Sequence, residues 1–487
     1  MNTTQNWSKY QKAIFAFIKD ADAGNAVVEA VAGSGKSTTI VECMNLVPGG
    51  KTAIFLAFNK AIAEELKTRG VNARTFHSLT YSPVTRSRKA RNIEPTKLQR
   101  IIKEKLSGDD AFLYGPFISR MVGLGRQAGV GCLVADTTQT WLEICNHHNL
   151  ELENENAEFG RALELCGQLL RWSNADSRLD FDDLLYLAVK DGLSLPKFDY
   201  VFVDEAQDTN AIQRALLRKI LKTDSRIIAV GDPAQAIYGF RGADSNSLNL
   251  IAEEFDCKNL PLTVSYRCPT KVVEYARHWV SHIEAAPTAA EGEVLNLGAK
   301  WELNKFATGD LIICRTTKPL ISFAYKFLRA RIPAKIMGRE IGQGLKSLID
   351  KLNANGIDNL ITKLDAWTER EIEKAVVKQQ ESKAEAVQDK ASAILCLIDG
   401  MLETERTIPM LLSIIDTLFS DSKGDITLAT IHKAKGLEAD TVFWLNSSQC
   451  PAKWAKSEWQ IQQENNLCYV AVTRAKRRLV LIEEQKH

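Results

Sequence analysis

The feature that most constrains this chain is a short segment near its start. An apolar run, Ala26 to Val31, enters a loop of small residues, and a helix-like pattern follows from Lys36 to Val47. Strand, glycine loop and helix in that order open a parallel α/β domain. Within it, Ala30-Val-Ala-Gly-Ser-Gly-Lys-Ser37 matches the phosphate-binding loop pattern, with Ala30 in place of the usual first glycine. Gly33 and Gly35 let the backbone curl so that its N–H groups, with those of Ala32, Ser34 and Thr38, face an anion at a helix N-terminus. Lys36 is expected to reach the β and γ phosphates, and Ser37 to offer its hydroxyl to Mg²⁺.

Further apolar runs at Thr52 to Ala57, Tyr200 to Val203 and Arg226 to Val230 suit buried parallel strands of the same sheet. The third of these four strands ends in Asp204-Glu205, an acidic pair at the carboxyl edge where open α/β sheets bind ligands. Asp204 is read as the Mg²⁺ ligand and Glu205 as the base that orients the attacking water in phosphoryl transfer.

Strand patterns return at Leu311 to Cys314, Ala334 to Met337, Ile426 to Thr430, Val442 to Leu445 and Leu479 to Ile482, enough for a second α/β domain. The expected organisation is a first sheet domain over 1–80 and 196–260, a helical insertion over 81–195, a second sheet domain over 261–341 and 424–487, and a small helical insertion over 342–423. The fold class is α/β, with two parallel-sheet domains in tandem and a P-loop NTPase site.

Composition narrows the partners. A net charge of +2 on 487 residues gives no general attraction to a polyanion, so any nucleic-acid contact must be local. The ten cysteines form no CxxC pair, and we expect neither zinc nor structural disulfides. No apolar run approaches the roughly 18 to 20 residues of a membrane span, and the N-terminus lacks a secretory pattern. These features predict a cytoplasmic protein with no membrane partner. A basic stretch, Arg86 to Lys105, is read as a solvated helix face with a possible role in contact.

The remaining motifs decide what the NTPase is for. Ile228-Ala-Val-Gly-Asp-Pro-Ala-Gln-Ala-Ile-Tyr-Gly-Phe-Arg-Gly-Ala243 resembles the third motif of UvrD/Rep helicases, a branch of superfamily 1. Collinear matches continue on both sides, covering both sheet domains. The resemblance makes Gln235 the γ-phosphate sensor and Tyr238, Phe240 and Arg241 strand contacts. Asn6 to Gln11 resembles the adenine motif, with Gln11 reading the base. Ala57-Phe-Asn-Lys60 and Thr75-Phe-His-Ser78 resemble the first strand-contact motifs and point to Phe58, Asn59 and His77. Val264-Ser-Tyr-Arg267 implies that Tyr266 packs on adenine and that Arg267 meets the γ phosphate. Thr430 to Glu438 resembles a motif that touches strand and ribose, giving Thr430, His432 and Glu438, and Glu464 to Ala475 supplies a second arginine finger, Arg474.

What the resemblance implies is that the two sheet domains are RecA-like motor domains of an ATP- and Mg²⁺-dependent helicase that moves 3′ to 5′ on single-stranded DNA and opens duplex at single/double-strand junctions. RNA is the less favoured strand. The alternative is a DNA-stimulated translocase or switch that displaces proteins without unwinding. Replication or repair proteins are possible partners, and the isolated chain is expected to be monomeric. Three departures stand out: the second insertion spans only about eighty residues, Phe240 replaces a common tryptophan, and the chain ends soon after the last motif, from which no C-terminal nuclease is expected.

Overall fold

A computed structural model describes residues 7–90, 92–148, 150, 152, 154, 156–237, 246–377, 381–419 and 426–485. Its internal contacts divide the chain into two units, 1–30 with 35–262, and 31–34 with 263–487.

In the first unit six strands form a parallel sheet: β1 (Asn25–Ala30), β2 (Ala53–Leu56), β3 (Ala73–Arg74), β4 (Phe198–Val203), β5 (Leu221–Gly231) and β6 (Cys257–Leu262). Their spatial order is β3-β2-β4-β5-β1-β6. The centre of the sheet is apolar on both faces because successive side chains point to opposite sides and both sides are covered. Val28, Phe55, Phe202 and Ile228 pack on one face with Ile14, Ile18 and Ile40, which come from the helices Lys9–Lys19 and Lys36–Asn45. Their neighbours Val27, Ile54, Leu56, Val201, Val203 and Ile227 point the other way, into a core shared with helices Phe76–Arg88, Gly108–Ala128, Phe159–Ala175 and Phe181–Lys190. Much of the helical segment between β3 and β4 therefore shares one continuous core with the sheet.

That core holds a buried ionic cluster. Lys97 Nζ lies 2.6 Å from Asp183, Arg126 lies 2.8 Å from Asp180, and Arg126 also donates to Ser173. The basic stretch is corrected here at one position: Lys97 is fully buried and committed to Asp183, so it offers nothing to a strand. Arg88 pairs with Asp191 and Arg100 with Glu94.

In the second unit β7 (Val264–Ser265) and β8 (Glu284–Ala285) form a small ladder. A further six-stranded parallel sheet contains β9 (Glu293–Gly298), β10 (Leu311–Cys314), β11 (Ala334–Ile336), β12 (Ile426–Thr430), β13 (Ala439–Leu445) and β14 (Ala475–Ile482), in the order β11-β12-β10-β13-β14-β9. Ile312, Leu428, Phe443 and Val480 pack from this sheet against Phe323 and Phe327, and onward to Leu345, Leu360, Ile394 and Ile415 of the helices between β11 and β12.

Besides the small β7–β8 ladder, three strands of the two six-stranded sheets were not expected. β6 carries Pro261, and β9 and β3 are largely exposed or only two residues long. All are sheet edges, where one neighbour suffices and the apolar signature fades. Among the described residues no helix is long and apolar enough to cross a membrane.

Candidate active site

The first unit brings the chemistry to the carboxyl ends of three adjacent strands. β1 leads into the phosphate loop, β4 into Asp204-Glu205, and β5 into Asp232. Gly33 and Gly35 adopt φ of 71° and 76°, the left-handed region that only glycine enters freely, and the helix from Lys36 begins directly after them. Ser34 Oγ is buried and has no hydrogen-bond partner among the described residues. A buried unpaired hydroxyl in a glycine cradle at a helix N-terminus fits a phosphate ligand.

Lys36 Nζ stands 3.3 Å from Glu205 Oε1. Burial pulls the Lys36 ammonium down, but Glu205, Asp232 and Asp204 outweigh it and hold its pKa above the ordinary lysine value. Burial pushes the Asp232 carboxyl up, against the opposing pull of Lys36 and of the Gln235 amide, which donates to it at 2.6 Å. Asp204 Oδ1 accepts from the Glu205 backbone N–H at 2.9 Å. Glu205 itself sits at φ 49°, ψ 41°, an uncommon conformation for a residue with a side chain.

Two further residues join this edge, Gln207 just beyond the acidic pair and Asp232 at the end of β5. The Gln207 amide donates to Glu205, and its carbonyl accepts from the Asp232 backbone N–H at 3.0 Å. At the adenine motif, Gln11 caps its own helix with Ser8 and donates to Thr39 Oγ1 at 3.0 Å. Thr39 is a further residue that spacing did not single out.

The second unit carries the other expected nucleotide residues, and Val31–Ser34 group with it. The Tyr266 backbone N–H donates to Gly33 O at 2.8 Å, and the Ala32 N–H donates to the Tyr469 hydroxyl at 2.9 Å. A Cβ on Gly33 would meet Ser265 Oγ and Arg267 Cβ, a second reason for glycine there. Arg267 forms an ion pair with Glu438 at 2.7 Å, and Glu438 is also 2.6 Å from Lys476. Burial alone would raise the Glu438 carboxyl, but these two cations hold it below the ordinary value. Arg474 is buried and donates to Val470 O, Leu437 O and Thr473 Oγ1.

Of the expected strand contacts, Phe58 and His77 line one cavity of about 170 Å³ with Arg126, Gln127, Asp182 and Gln213. Phe58 is 49% exposed, high for so large an apolar ring. His77 makes an edge-on contact with exposed Phe181, and burial lowers its pKa. Asn59 has a helix-capping role, accepting from Ile62 N–H at 2.9 Å, and Thr430 caps the short helix that holds His432. Tyr238, Phe240 and Arg241 lie outside the described residues.

The parallel sheet and the residues at its carboxyl edge define a phosphate-loop NTPase fold. The UvrD/REP helicase N-terminal domain matches residues 10–256, and the UvrD-like helicase C-terminal domain matches residues 354–486. The chain belongs to the UvrD/REP helicase family. It is 27% identical over 505 residues to F-box DNA helicase protein 1 of Schizosaccharomyces pombe, covering 93% of this chain and 55% of that protein. F-box DNA helicase 1 of Gallus gallus is 25% identical, covering 94% and 47%, and ATP-dependent DNA helicase PcrA of Staphylococcus epidermidis is 22% identical, covering 94% and 81%. The chain thus spans about half the length of the F-box relatives.

Proposed function

We propose that this chain is an ATP-dependent DNA helicase that moves along single-stranded DNA in the 3′ to 5′ direction and uses hydrolysis to open duplex. The observation that carries the reading is the approach of Lys36 to Glu205, because it sets the phosphate-binding cation and the water-orienting carboxylate side by side. Gln11 reads the adenine edge, Gly33 to Thr38 cradle the phosphates, and Glu205 orients the attacking water. Ser37 and Asp204 offer a hydroxyl and a carboxylate, the hard oxygen donors that Mg²⁺ prefers, and the ion when bound neutralises developing phosphate charge. Gln235 senses the γ phosphate. Arg267 and Arg474 stabilise charge on the phosphoryl oxygens, with Tyr266 and Glu438 on the base and ribose.

On the strand side, Phe58 is the stacking platform supported by its exposure, with His77, Asn59, Thr430 and His432 as polar contacts. Tyr238, Phe240 and Arg241 complete the proposed set on resemblance alone. The names of the relatives support DNA as the polymer, including PcrA and the F-box helicases.

The test is steady-state ATPase with and without a single-stranded oligomer, beside strand displacement on 3′-tailed and 5′-tailed duplexes. Stimulation with opening of the 3′-tailed substrate alone is expected. Stimulation without opening selects a translocase that displaces proteins, and no stimulation overturns the DNA motor.

A further inference from the structure

We propose that Gln207 is a positioning residue that links the hydrolytic base to the phosphate-sensing turn, and that Gly231 is glycine in order to leave room for it. The inference rests on the functional reading above, since it takes Glu205 as base and Gln235 as sensor. One amide side chain spans two motifs. Its Nε2 donates to Glu205 Oε2, and its Oε1 accepts from the backbone N–H of Asp232. From Asp232 the connection continues, since the Asp232 carboxyl accepts from Gln235 Nε2 at 2.6 Å and the Gln235 backbone N–H bonds back to Asp232 O at 2.9 Å. Glu205, Gln207, Asp232 and Gln235 thus form one hydrogen-bonded series between the ends of β4 and β5.

Three observations argue that the series positions chemistry. Gln207 is buried, 2% exposed, so its amide was taken from water and both of its ends must be satisfied inside the protein. A primary amide is the smallest neutral side chain that can donate to a carboxylate at one end and accept from a backbone N–H at the other. A carboxylate there would repel Glu205, and an alcohol would not span both partners.

The second observation is Gly231. Its φ is not in the left-handed region, so no backbone demand explains the glycine. A Cβ at this position would close onto Gln207 Oε1, and would stand 3.0 Å from the Gln207 backbone nitrogen and from Leu248 Cδ1. The space at residue 231 is shaped by the amide beside it.

The third is the backbone of Glu205. Its left-handed conformation turns the chain from β4 into the short helix Ala206–Asp208, which carries Gln207 back towards β5. Strained backbone of this kind persists where surrounding bonds over-determine it, and the Gln207 amide supplies one of those bonds to the strained residue itself. A change at the sensor therefore has a direct mechanical route to the carboxylate that orients water: movement of Asp232 or Gln235 alters the bond at Gln207 Oε1, and the rigid amide transmits it to Glu205.

The experiment is a double-mutant cycle in the full chain using Gln207→Ala, Gly231→Ala and the pair, with kcat and KM for ATP measured in the presence and absence of single-stranded DNA, and thermal melting as a check on folding. Each single change is expected to lower kcat at least about tenfold while KM for ATP stays within about twofold. The pair is expected to lose less than the product of the two single losses, because truncating Gln207 removes the main obstruction to a methyl group at position 231. Gln207→Glu, which keeps the acceptor and exchanges the donor for a charge that Glu205 repels, is expected to lower kcat by a similar factor under conditions where melting shows the variant folded. Unchanged kcat in Gln207→Ala, multiplicative losses in the pair, or losses of kcat that merely follow a lowered melting temperature overturn the proposal. A wild-type ATPase indifferent to DNA counts against the functional reading alone, since the cycle can then be read on basal turnover.

Discussion

At the scale of single residues, the proposed roles at the phosphate loop predict a separation of binding from hydrolysis. Lys36→Ala removes the cation proposed to meet the phosphates, so both nucleotide affinity and turnover should fall. Glu205→Gln preserves the shape and the cradle while removing the proposed base, so turnover should fall by about 10² or more with nucleotide affinity retained. A fluorescent nucleotide titration beside the ATPase assay checks the split, and equal loss of affinity in both variants would refute it.

A second residue-scale expectation concerns Asp182, in the cavity with Phe58 and His77. Burial, reinforced by Asp180, pushes its carboxyl up to about 6, with Arg126 opposing and Asp183 adding to the rise. A folded pKa above the unfolded value means the folded state holds the proton more tightly. The associated stability is fully present below about pH 4 and is lost as pH rises through about 6. Asp182→Asn should therefore stabilise the protein at neutral pH by about 1 to 2 kcal/mol and flatten that part of the pH profile. Chemical denaturation at pH 4.5 and 7 measures it, and an equal effect at both would sink the assignment.

Elements explain why some of the molecule could be read from sequence and some could not. β1, β4 and β10 are central strands, buried along nearly their whole length, so their apolar runs stand out against polar flanks. β6 lacks that contrast because it is an edge strand interrupted by Pro261, and β9 because nearly all its side chains meet solvent. The Lys97–Asp183 pair was illegible because its partners are 86 positions apart, and a lysine within a basic run looks solvated until its neighbours are known. Gln207 follows the acidic pair by two positions, but the role proposed for it depends on two partners that only folding brings together.

Helix ends carry a related lesson for mutagenesis. Asn59 was singled out as a strand contact, yet its side chain caps the helix Lys60–Thr68. Asn59→Ala should cost about 1 kcal/mol through the lost cap, whereas Asn59→Asp should retain most of it. DNA affinity measured beside thermal stability separates the roles: a contact predicts weaker binding in both variants, and a cap alone predicts a stability loss confined to alanine.

For the whole molecule, charge limits how DNA is held. With a net charge of +2, attraction to the backbone must come from a few local cations, with the proposed stacking on Phe58 adding to the hold. The dependence of log affinity on log salt for a single strand is expected to be no steeper than about −4, the release expected for a handful of phosphate contacts at about 0.7 each. Binding titrations across a salt series measure the slope, and a value near −8 would require an extensive basic groove.

The edges of the two sheets bear on how these molecules behave towards one another. An unpaired strand edge is a template onto which another chain can add, and the fold blunts each one differently. β3 and β11 are two and three residues long, β6 carries Lys258 and Pro261, and β9 displays Glu293 paired with Arg478. A proline withholds the amide hydrogen that an incoming strand would need. The residue that hid β6 in the sequence is thus a guard against aggregation, helping the folded chain stay dispersed when it is crowded.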